Sequence, residues 1–206
     1  MRIDDYDISR SFDATVASTH PITAEDAVDE VKELILEVDN KEFNYKVGQS
    51  IGVLVPGPHD FGHEYHVRLY TVADIPTPEP GHDKEITIVV KRCKFIDEYS
   101  GEEYKGVASN YLCDLNKGDH IRISGPFGIP FEVPDDRHAN LLMISLGTGI
   151  APFRAFVKHI YKNVGGWIGK VRLFYGAHSG LDLVYMNDER DDFSQYYDQA
   201  TFAAFK

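Results

Sequence analysis

The stretch RLYT, residues 68–71, carries groups that could hold a ligand. Arg68 offers a guanidinium that can bond two phosphate oxygens, and Tyr70 offers a flat apolar ring with a polar tip. These two side chains share one face of an extended strand, because successive side chains alternate. Leu69 and Thr71 lie on the other face. The pattern suits a nucleotide-like ligand with a pyrophosphate and a flat ring system; a surface arginine beside a half-buried tyrosine is the alternative.

The stretch GTGIAP, residues 147–152, lies between a predicted strand and a predicted helix. Gly147 and Gly149 allow a ligand to approach the backbone closely, and the helix start offers unpaired N–H groups to an anion such as a pyrophosphate. Pro152 suits the first helical turn. The stretch is not a P-loop, because no Gly-Lys-Ser/Thr follows. A glycine turn that serves packing alone is the alternative.

The stretch GVASNYL, residues 106–112, predicts a third contact. Ser109 at a helix start would place its hydroxyl and the first helical N–H groups where a second phosphate could bind. The alternative is that Ser109 is only a helix cap. Together, the three stretches favour a phosphate-containing ligand more strongly than any one of them does.

Short strands separated by turns position the first of these groups. They are rich in Val and Ile and are bounded by Gly, Pro, Asn and Asp, which predicts an antiparallel barrel or sandwich. One helix, SNYLCDL (109–115), opens on a Ser or Asn cap and ends before the glycine of NKGDH. The predicted strands are 31–38, 50–55, 67–73, 85–91 and 120–125.

The pattern changes after PDDRHAN (134–140). LLMISL (141–146) is an unbroken apolar run, typical of a strand buried on both faces of a parallel sheet. A helix follows GTGIAP, and VRLFYGA (171–177) is a second strand, which makes a βαβ unit. DLVYMNDERDDFSQYY (182–197) is predicted as the next crossover helix or its approach, and TFAAFK (201–206) as a third strand. We therefore expect a barrel over residues 1–137 and an α/β domain over 138–206.

Composition excludes several classes of protein. The 206 residues carry a formal net charge of −12, so no basic stripe is available to bind nucleic acid. No apolar run approaches the ~18 residues of a membrane span, and no secretory signal is evident at the N-terminus. Cys93 and Cys113 are the only cysteines, which supports neither a disulfide framework nor a Cys-ligated metal and predicts a cytoplasmic location.

Three weaker candidate sites have simpler structural explanations. His59, His63 and His66 form an HxxxHxxH pattern, but it lies in a loop marked by Gly and Pro, so we predict no metal site. The acidic run NDERDD (187–192) is predicted to be a solvated helix face. Both cysteines are read as small buried residues.

The chain resembles the plant-type ferredoxin–NADP reductase family. VRLYTVAD matches the family's flavin strand Arg-x-Tyr-Ser/Thr, KGVASNYLCDL matches its Gly-x-x-Ser helix start, and LGTGIAPFRAF matches its nicotinamide-cofactor loop. The matching motifs cover roughly residues 45–180 in the family's order. The resemblance implies an FAD-binding β-barrel followed by a partial doubly wound nucleotide-binding domain.

The resemblance implies roles for individual residues. Arg68 would pair with the FAD pyrophosphate, Tyr70 would stack on the isoalloxazine, and Thr71 would assist hydride transfer by a hydrogen bond near the flavin N5. Phe95 would stack on the adenine, and Ser109 would hold FAD phosphates. The other implied FAD positions are Leu69, Val89, Val90, Lys91, Gly106, Val107 and Ala108, the last standing where the family often has cysteine. The implied NAD(P) pyrophosphate positions are Gly147, Thr148, Gly149 and Pro152.

The resemblance also implies a reaction and partners. FAD would exchange electrons between NAD(P)H and a one-electron carrier such as ferredoxin or flavodoxin. The net charge of −12 fits poorly with docking an acidic ferredoxin, unless Lys91, Arg92, Lys94 and Lys105 form a local basic rim. The family's residues that choose between NADPH and NADH fall beyond the point matching Lys206, so weak or absent NAD(P) binding is expected. Two alternatives stay open: an FAD-holding electron-transfer subunit whose nicotinamide site is lost or completed by another chain, and a non-binding remnant of the fold.

Overall fold

The computed structural model describes residues 7–40, 42–59, 62–76, 84–188, 190–197 and 199–206. Within these residues, no helix combines the length and the apolarity needed to cross a membrane. In chain order the elements are β1 (Ser11–Pro21), β2 (Val31–Val38), β3 (Ser50–Pro56), β4 (Tyr65–Thr71), β5 (Lys84–Lys91), β6 (Lys94–Ile96), β7 (Glu103–Lys105), α1 (Val107–Asp114), β8 (His120–Phe127), β9 (Leu141–Leu146), α2 (Ile150–Lys158), β10 (Val171–Gly176) and β11 (Phe202–Phe205).

The first part of the chain forms a six-stranded antiparallel sheet in the order β4-β3-β8-β1-β2-β5. A bridge between Val72 and Ile88 joins the two outermost strands, so the sheet closes into a barrel. The Val and Ile side chains that predicted the strands fill its interior, with Leu34, Ile51 and Ile86 fully buried. The barrel expected from the sequence is confirmed, and β1 and the small β6–β7 hairpin are additions to it.

Helix α1 packs against β3, β4 and β5. It begins at Val107, two residues earlier than predicted, and Gly106 precedes it without a side-chain cap. The prediction of a Ser or Asn cap was therefore wrong: Ser109 lies inside the first turn and is buried. The Gly106 N–H bonds to the Cys93 carbonyl at 2.9 Å, which keeps the chain extended up to the helix start.

The second part of the chain is a parallel three-stranded sheet in the order β11-β10-β9. The turn Gly147–Gly149 connects β9 to α2, which continues into a π-helical turn at His159–Asn163. Ile150, Ala155 and Val157 of α2 pack against the buried face of this sheet. The predicted strand–helix–strand order and the third strand are confirmed, so the fold is a barrel followed by an α/β part.

The prediction that LLMISL is buried on both faces was wrong. Strand β9 alternates, with Met143 and Ser145 buried and Leu142, Ile144 and Leu146 exposed. The reason is that α2 covers one face of the sheet, while the described residues leave the other face uncovered. We call this other side the apolar face; its members are Leu142, Ile144, Leu146, Phe174 and Phe205.

The predicted crossover helix over 182–197 was also wrong. The described residues of this segment form short 3₁₀ turns at Gly180–Asp182 and Ser194–Tyr196 and a bridge between Met186 and Asp191. The acidic run within it is not simply a solvated face, because Asp192 bonds to Arg154 and Arg190. The apolar side chains of the segment are buried in the core instead of spaced along a helix.

Candidate functional site

The RLYT residues lie on β4, which pairs with β3 on one side. Tyr70 is half-buried against the barrel core, and burial raises the pKa of its phenol. Arg68 is exposed, and its guanidinium donates to the adjacent Val67 carbonyl at 2.8 Å. Among the described residues it forms no ion pair with a carboxylate, so this guanidinium is available to an anionic ligand.

Thr71 ends β4 next to a hydroxyl partner. Ser50 and Thr71 face each other across the β3–β4 pair, with 2.9 Å between their hydroxyl oxygens. The remaining RLYT residue, Leu69, is half-buried opposite Gly52. The pair of hydroxyls was not predicted, because β3 lies about twenty residues away in the chain.

Helix α1 brings the third predicted stretch to the same place. The Ser109 hydroxyl accepts a hydrogen bond from the Cys93 N–H at 3.1 Å and donates to the Gly106 carbonyl at 3.3 Å. Cys93 and Ser109 are thus hydrogen-bonded neighbours, and α1 contacts β4, the strand that carries Tyr70. Val107 is exposed and Ala108 is buried in the same turn.

Gly106 is needed where it stands. A Cβ at this position would lie 2.8 Å from the Ser109 hydroxyl and 3.3 Å from the Cys93 Cβ. A side chain would therefore push apart the contacts that join α1 to the end of β5. This gives the glycine of the Gly-x-x-Ser motif a packing reason that holds with or without a ligand.

Phe95 lies on the exposed β6–β7 hairpin. Its ring stacks on Tyr104 with centroids 5.3 Å apart and an interplanar angle of 19°. Sequence reasoning missed Tyr104, although its place on the partner strand makes it a cross-strand neighbour of Phe95. The two rings form a flat aromatic surface, which could accept a planar ligand group.

The end of β5 and the turn Gly147–Gly149 border one cavity. Val89 and Val90 are buried in β5, and Lys91 at its end forms an ion pair with Asp29. The cavity has a volume of about 350 Å³ and lies at the carboxyl ends of β9 and β10. Its walls include Asp29, Lys91, Leu146, Gly147, Thr148, Gly176, His178 and Asp182.

The turn before α2 fits the predicted anion site in part. Gly147 has a φ of +52°, a conformation that favours glycine, and a Cβ there would meet open space. Gly149 precedes α2 directly, and Pro152 is its third residue. Gly147 and Thr148 line the cavity, whereas Gly149 and Pro152 are not among its walls.

The histidine pattern, the basic rim and the two cysteines are the remaining candidates from the sequence. His59 and His66 rings lie 5.7 Å apart, and no group of three or more His, Cys, Asp or Glu side chains in the described part of the chain is arranged to hold a metal. Three members of the predicted basic rim are neutralised: Lys91 by Asp29, Arg92 by Glu30, and Lys94 by Glu103. Cys93 is exposed rather than buried, while Cys113 is buried as predicted.

Comparisons with known proteins match two parts of the chain to known families. Residues 22–131 match a family described as "Oxidoreductase FAD-binding domain", and residues 143–205 match "Oxidoreductase NAD-binding domain". Ferredoxin--NADP reductase of Synechocystis sp. is 35% identical over 176 residues, which cover 84% of this chain and 42% of the relative. The cyanelle ferredoxin--NADP reductase of Cyanophora paradoxa is 37% identical over 170 residues, covering 81% and 46%.

A solved structure supports the fold. Ferredoxin-NADP+ reductase from Plasmodium falciparum aligns with 97% of this chain and 70% of its own, at a TM-score of 0.73 and 20% sequence identity. This likeness concerns the fold. The chain spans less than half the length of the two curated relatives described above.

Proposed function

The chain belongs to the ferredoxin–NADP reductase family, and from that membership we propose that it is an FAD-dependent oxidoreductase. It exchanges electrons between NAD(P)H and a one-electron carrier, with ferredoxin the first choice and flavodoxin the second. The observation that supports the proposal is the cavity between the end of β5 and the turn Gly147–Gly149, because Lys91 of the predicted FAD set and Gly147 and Thr148 of the predicted NAD(P) set both line it. The two free thiols support a reducing compartment such as the cytoplasm.

The residues present suit FAD. The exposed Arg68 guanidinium would bind the pyrophosphate, the Tyr70 ring would cover one flavin face, and the aromatic surface of Phe95 and Tyr104 would receive the adenine. The N–H groups at the start of α1 would bind phosphate oxygens beside Ser109. FAD supplies the redox chemistry, accepting a hydride and releasing single electrons.

The nicotinamide nucleotide would bind at the carboxyl ends of β9 and β10, where open α/β sheets bind ligands. Gly147 and Thr148 would approach its pyrophosphate, and the N-terminus of α2 would provide partial positive charge. Thr71 would orient the flavin edge by a hydrogen bond, with Ser50 holding its hydroxyl. Each of these roles belongs to the proposal.

FAD titration of the purified protein tests the first half of the proposal. A yellow complex is expected, and Arg68→Ala should raise the FAD dissociation constant about 10- to 100-fold, since a charge-assisted contact is lost. Arg122→Ala is the matched control, because Arg122 is an exposed arginine of β8 that pairs with Asp13. A protein that takes up no FAD would contradict the proposal.

Stopped-flow mixing with NADPH and NADH tests the second half. Bleaching of the flavin absorbance by either nucleotide is expected, at a rate that rises with nucleotide concentration because the sequence predicts weak NAD(P) binding. A protein that holds FAD but is reduced by neither nucleotide contradicts the oxidoreductase proposal and favours the FAD-holding subunit. The comparison of the two rates also identifies the preferred nucleotide.

The carrier surface can be tested by charge reversal. Lys105 has no carboxylate partner among the described contacts, and Lys94 pairs only at the exposed surface with Glu103. Lys94→Glu together with Lys105→Glu should slow the reduction of ferredoxin and weaken its salt dependence. Lys117→Glu, in the turn before β8, is the control. Unchanged rates would show that ferredoxin docks elsewhere.

A further inference from the structure

A cluster of charged side chains lies between the barrel and the α/β part. The barrel contributes Glu33 on β2 and Asp74 just after β4, and the α/β part contributes the rest. We call the set the interdomain cluster: Glu33, Asp74, Arg154, Lys158, Tyr185, Arg190 and Asp192. Its members are drawn from four separate stretches of chain, so it exists only in the folded protein.

Asp74 connects the end of β4, the predicted flavin strand, to α2, the helix that follows the predicted NAD(P) turn. It lies three residues after Thr71, at the end of the predicted flavin strand. The Lys158 ammonium donates to its two oxygens at 2.5 and 2.7 Å, and the Arg154 guanidinium donates to it at 3.1 Å and to the Ala73 carbonyl at 2.7 Å. Both cations belong to α2, whose first turn follows Gly149 directly.

Tyr185 forms the second arm of the cluster. Two guanidinium groups lie over its ring, with Arg154 at 4.6 Å and Arg190 at 4.9 Å from the ring centroid. Its hydroxyl donates to Glu33 at 2.5 Å, and the Arg190 guanidinium donates to the same carboxylate at 2.9 Å. Asp192 accepts hydrogen bonds from both arginines.

The charges of the cluster balance, with three carboxylates and three cations. Glu33 is only 3% exposed and Arg154 only 9%, so removing one partner would leave a buried charge unpaired. Apolar residues could hold an interface at least as firmly, because burying charges is costly. What paired and directed hydrogen bonds add is a single relative placement of the two parts.

Tyr185 also has an unusual backbone. Among the residues the structure describes, it is the one non-glycine with a positive φ, at 63°. A fully buried aromatic residue takes this conformation only where its surroundings hold it there. The contacts on this residue include the Arg154 and Arg190 guanidinium groups over its ring, the bond of its hydroxyl to Glu33 and the bond of its carbonyl to the Asp192 N–H.

We propose that the interdomain cluster positions the turn Gly147–Gly149 against β4, the predicted flavin strand. Asp74 is the central positioning residue of this cluster. The inference rests on the proposed function, because that function requires the Thr71 end of β4 and the turn Gly147–Gly149 to be held at a fixed distance. Asp74 would set this distance without touching either cofactor.

The single tryptophan makes the proposal testable. Trp167 is buried, and its indole N–H donates to the Ala139 carbonyl at 2.7 Å, so its fluorescence reports on the α/β part. Amide hydrogen exchange of β2 and β5, read by mass spectrometry, reports on the barrel. Both are followed against urea, on the full chain at matched FAD content. The test variant is Asp74→Asn with Lys158→Met, which removes one charge of each sign; Tyr185→Phe is the milder second variant.

In the wild type the two probes should share one urea midpoint. In Asp74→Asn/Lys158→Met, the Trp167 midpoint should fall about 1 M below that of the barrel strands. Tyr185→Phe should separate them less, because only one hydrogen bond is lost. The control is Asp13→Asn, which breaks an exposed ion pair within the barrel and should leave the midpoints together.

Two results would overturn the proposal. The first is a Trp167 midpoint that already differs from the barrel midpoint in the wild type. The second is that both midpoints decrease by the same amount in Asp74→Asn/Lys158→Met, which is expected if the cluster only stabilises the whole fold. In the FAD-loaded variant, reduction by NADPH should slow about tenfold while the FAD dissociation constant stays unchanged. A chain that binds no FAD would contradict the proposed function yet leave the comparison of midpoints intact, so the two failures are distinguishable.

Discussion

The hydroxyl oxygens of Ser50 and Thr71 lie 2.9 Å apart, at the position where β3 and β4 pair. This contact fixes the rotamer of a threonine that otherwise ends a strand. It therefore links the predicted catalytic hydroxyl to a residue that has no ligand role of its own.

Thr71→Val should slow reduction of the bound FAD by NADPH about tenfold or more, since the hydrogen bond near the flavin is lost. Ser50→Ala should produce a smaller decrease, because Thr71 keeps its hydroxyl but loses its orientation. Stopped-flow absorbance measures both rates. Thr15→Val, on the exposed side of β1, serves as the control. Equal rates in Thr71→Val and wild type would remove Thr71 from the mechanism.

Ser109 has a structural role that can be separated from FAD binding. Its buried hydroxyl bonds to the Cys93 N–H and the Gly106 carbonyl, so Ser109→Ala should lower the free energy of unfolding of the FAD-free protein by about 1–3 kcal/mol. Urea denaturation measures this change. Ser194→Ala, whose exposed hydroxyl bonds to the Asp191 carbonyl, should change stability much less. Identical losses in both variants would argue against a special role for Ser109.

The two cysteines should differ in reactivity. Burial raises the pKa of the Cys113 thiol to about 11, whereas the Cys93 thiol is exposed. A disulfide reagent at pH 8 should therefore modify one thiol rapidly and the second only after unfolding. Cys93→Ser should abolish the rapid phase. Because the Cys93 N–H bonds to the hydroxyl of Ser109, a predicted FAD residue, added FAD should slow that phase, and an unprotected Cys93 would place FAD elsewhere.

Acid should weaken the interdomain cluster. Burial opposes ionisation of Asp192, but its bonds to Arg190 and Arg154 outweigh burial and hold its pKa below the ordinary 3.8. A depressed folded-state pKa contributes stability above the unfolded value and loses it as the pH falls through the folded value. The contribution of Asp192 to the urea midpoint, measured as the difference between wild type and Asp192→Asn, should thus be constant from neutral pH to about pH 5 and shrink below about pH 4.

Asp192→Asn gives the matching measurement at neutral pH. It leaves two arginines short of a carboxylate, so the free energy of unfolding should drop by about 3–5 kcal/mol. The variant should also lose part of the acid dependence seen in the wild type. Asp13→Asn should change neither quantity. An unaltered midpoint in Asp192→Asn would show that the cluster contributes little to stability.

The strands of the barrel were predictable because their Val and Ile side chains are the ones that its interior buries. Strand β1 was not, since SFDATVASTHP is mostly polar and its place is set by pairing with β2 and β8. Strand β9 looked buried on both faces because an apolar run does not reveal which neighbours cover it. Composition therefore identified the strands better than it identified which neighbouring elements cover their faces.

The candidate site was predictable where a motif is local and unpredictable where partners are distant. Arg68, Tyr70 and Ser109 follow from short motifs, and the structure shows one of them, Ser109, bonded to the Cys93 N–H. The contacts of Asp74 with Arg154 and of Glu33 with Tyr185 join residues 80 and 152 positions apart, so no spacing rule connects them. The segment around Tyr185 was predicted as the next crossover helix or its approach, and nothing in its own sequence indicates the distant contacts that it makes.

The apolar face of the smaller sheet bears on how the protein is handled at the bench. Environment-sensitive dyes bind exposed hydrocarbon surface, so they should fluoresce on the native chain before any heating. A dye-based melting curve would then start from a high baseline and obscure the transition. Intrinsic tryptophan emission avoids that artefact, and low-salt buffers with moderate protein concentrations should limit self-association during purification.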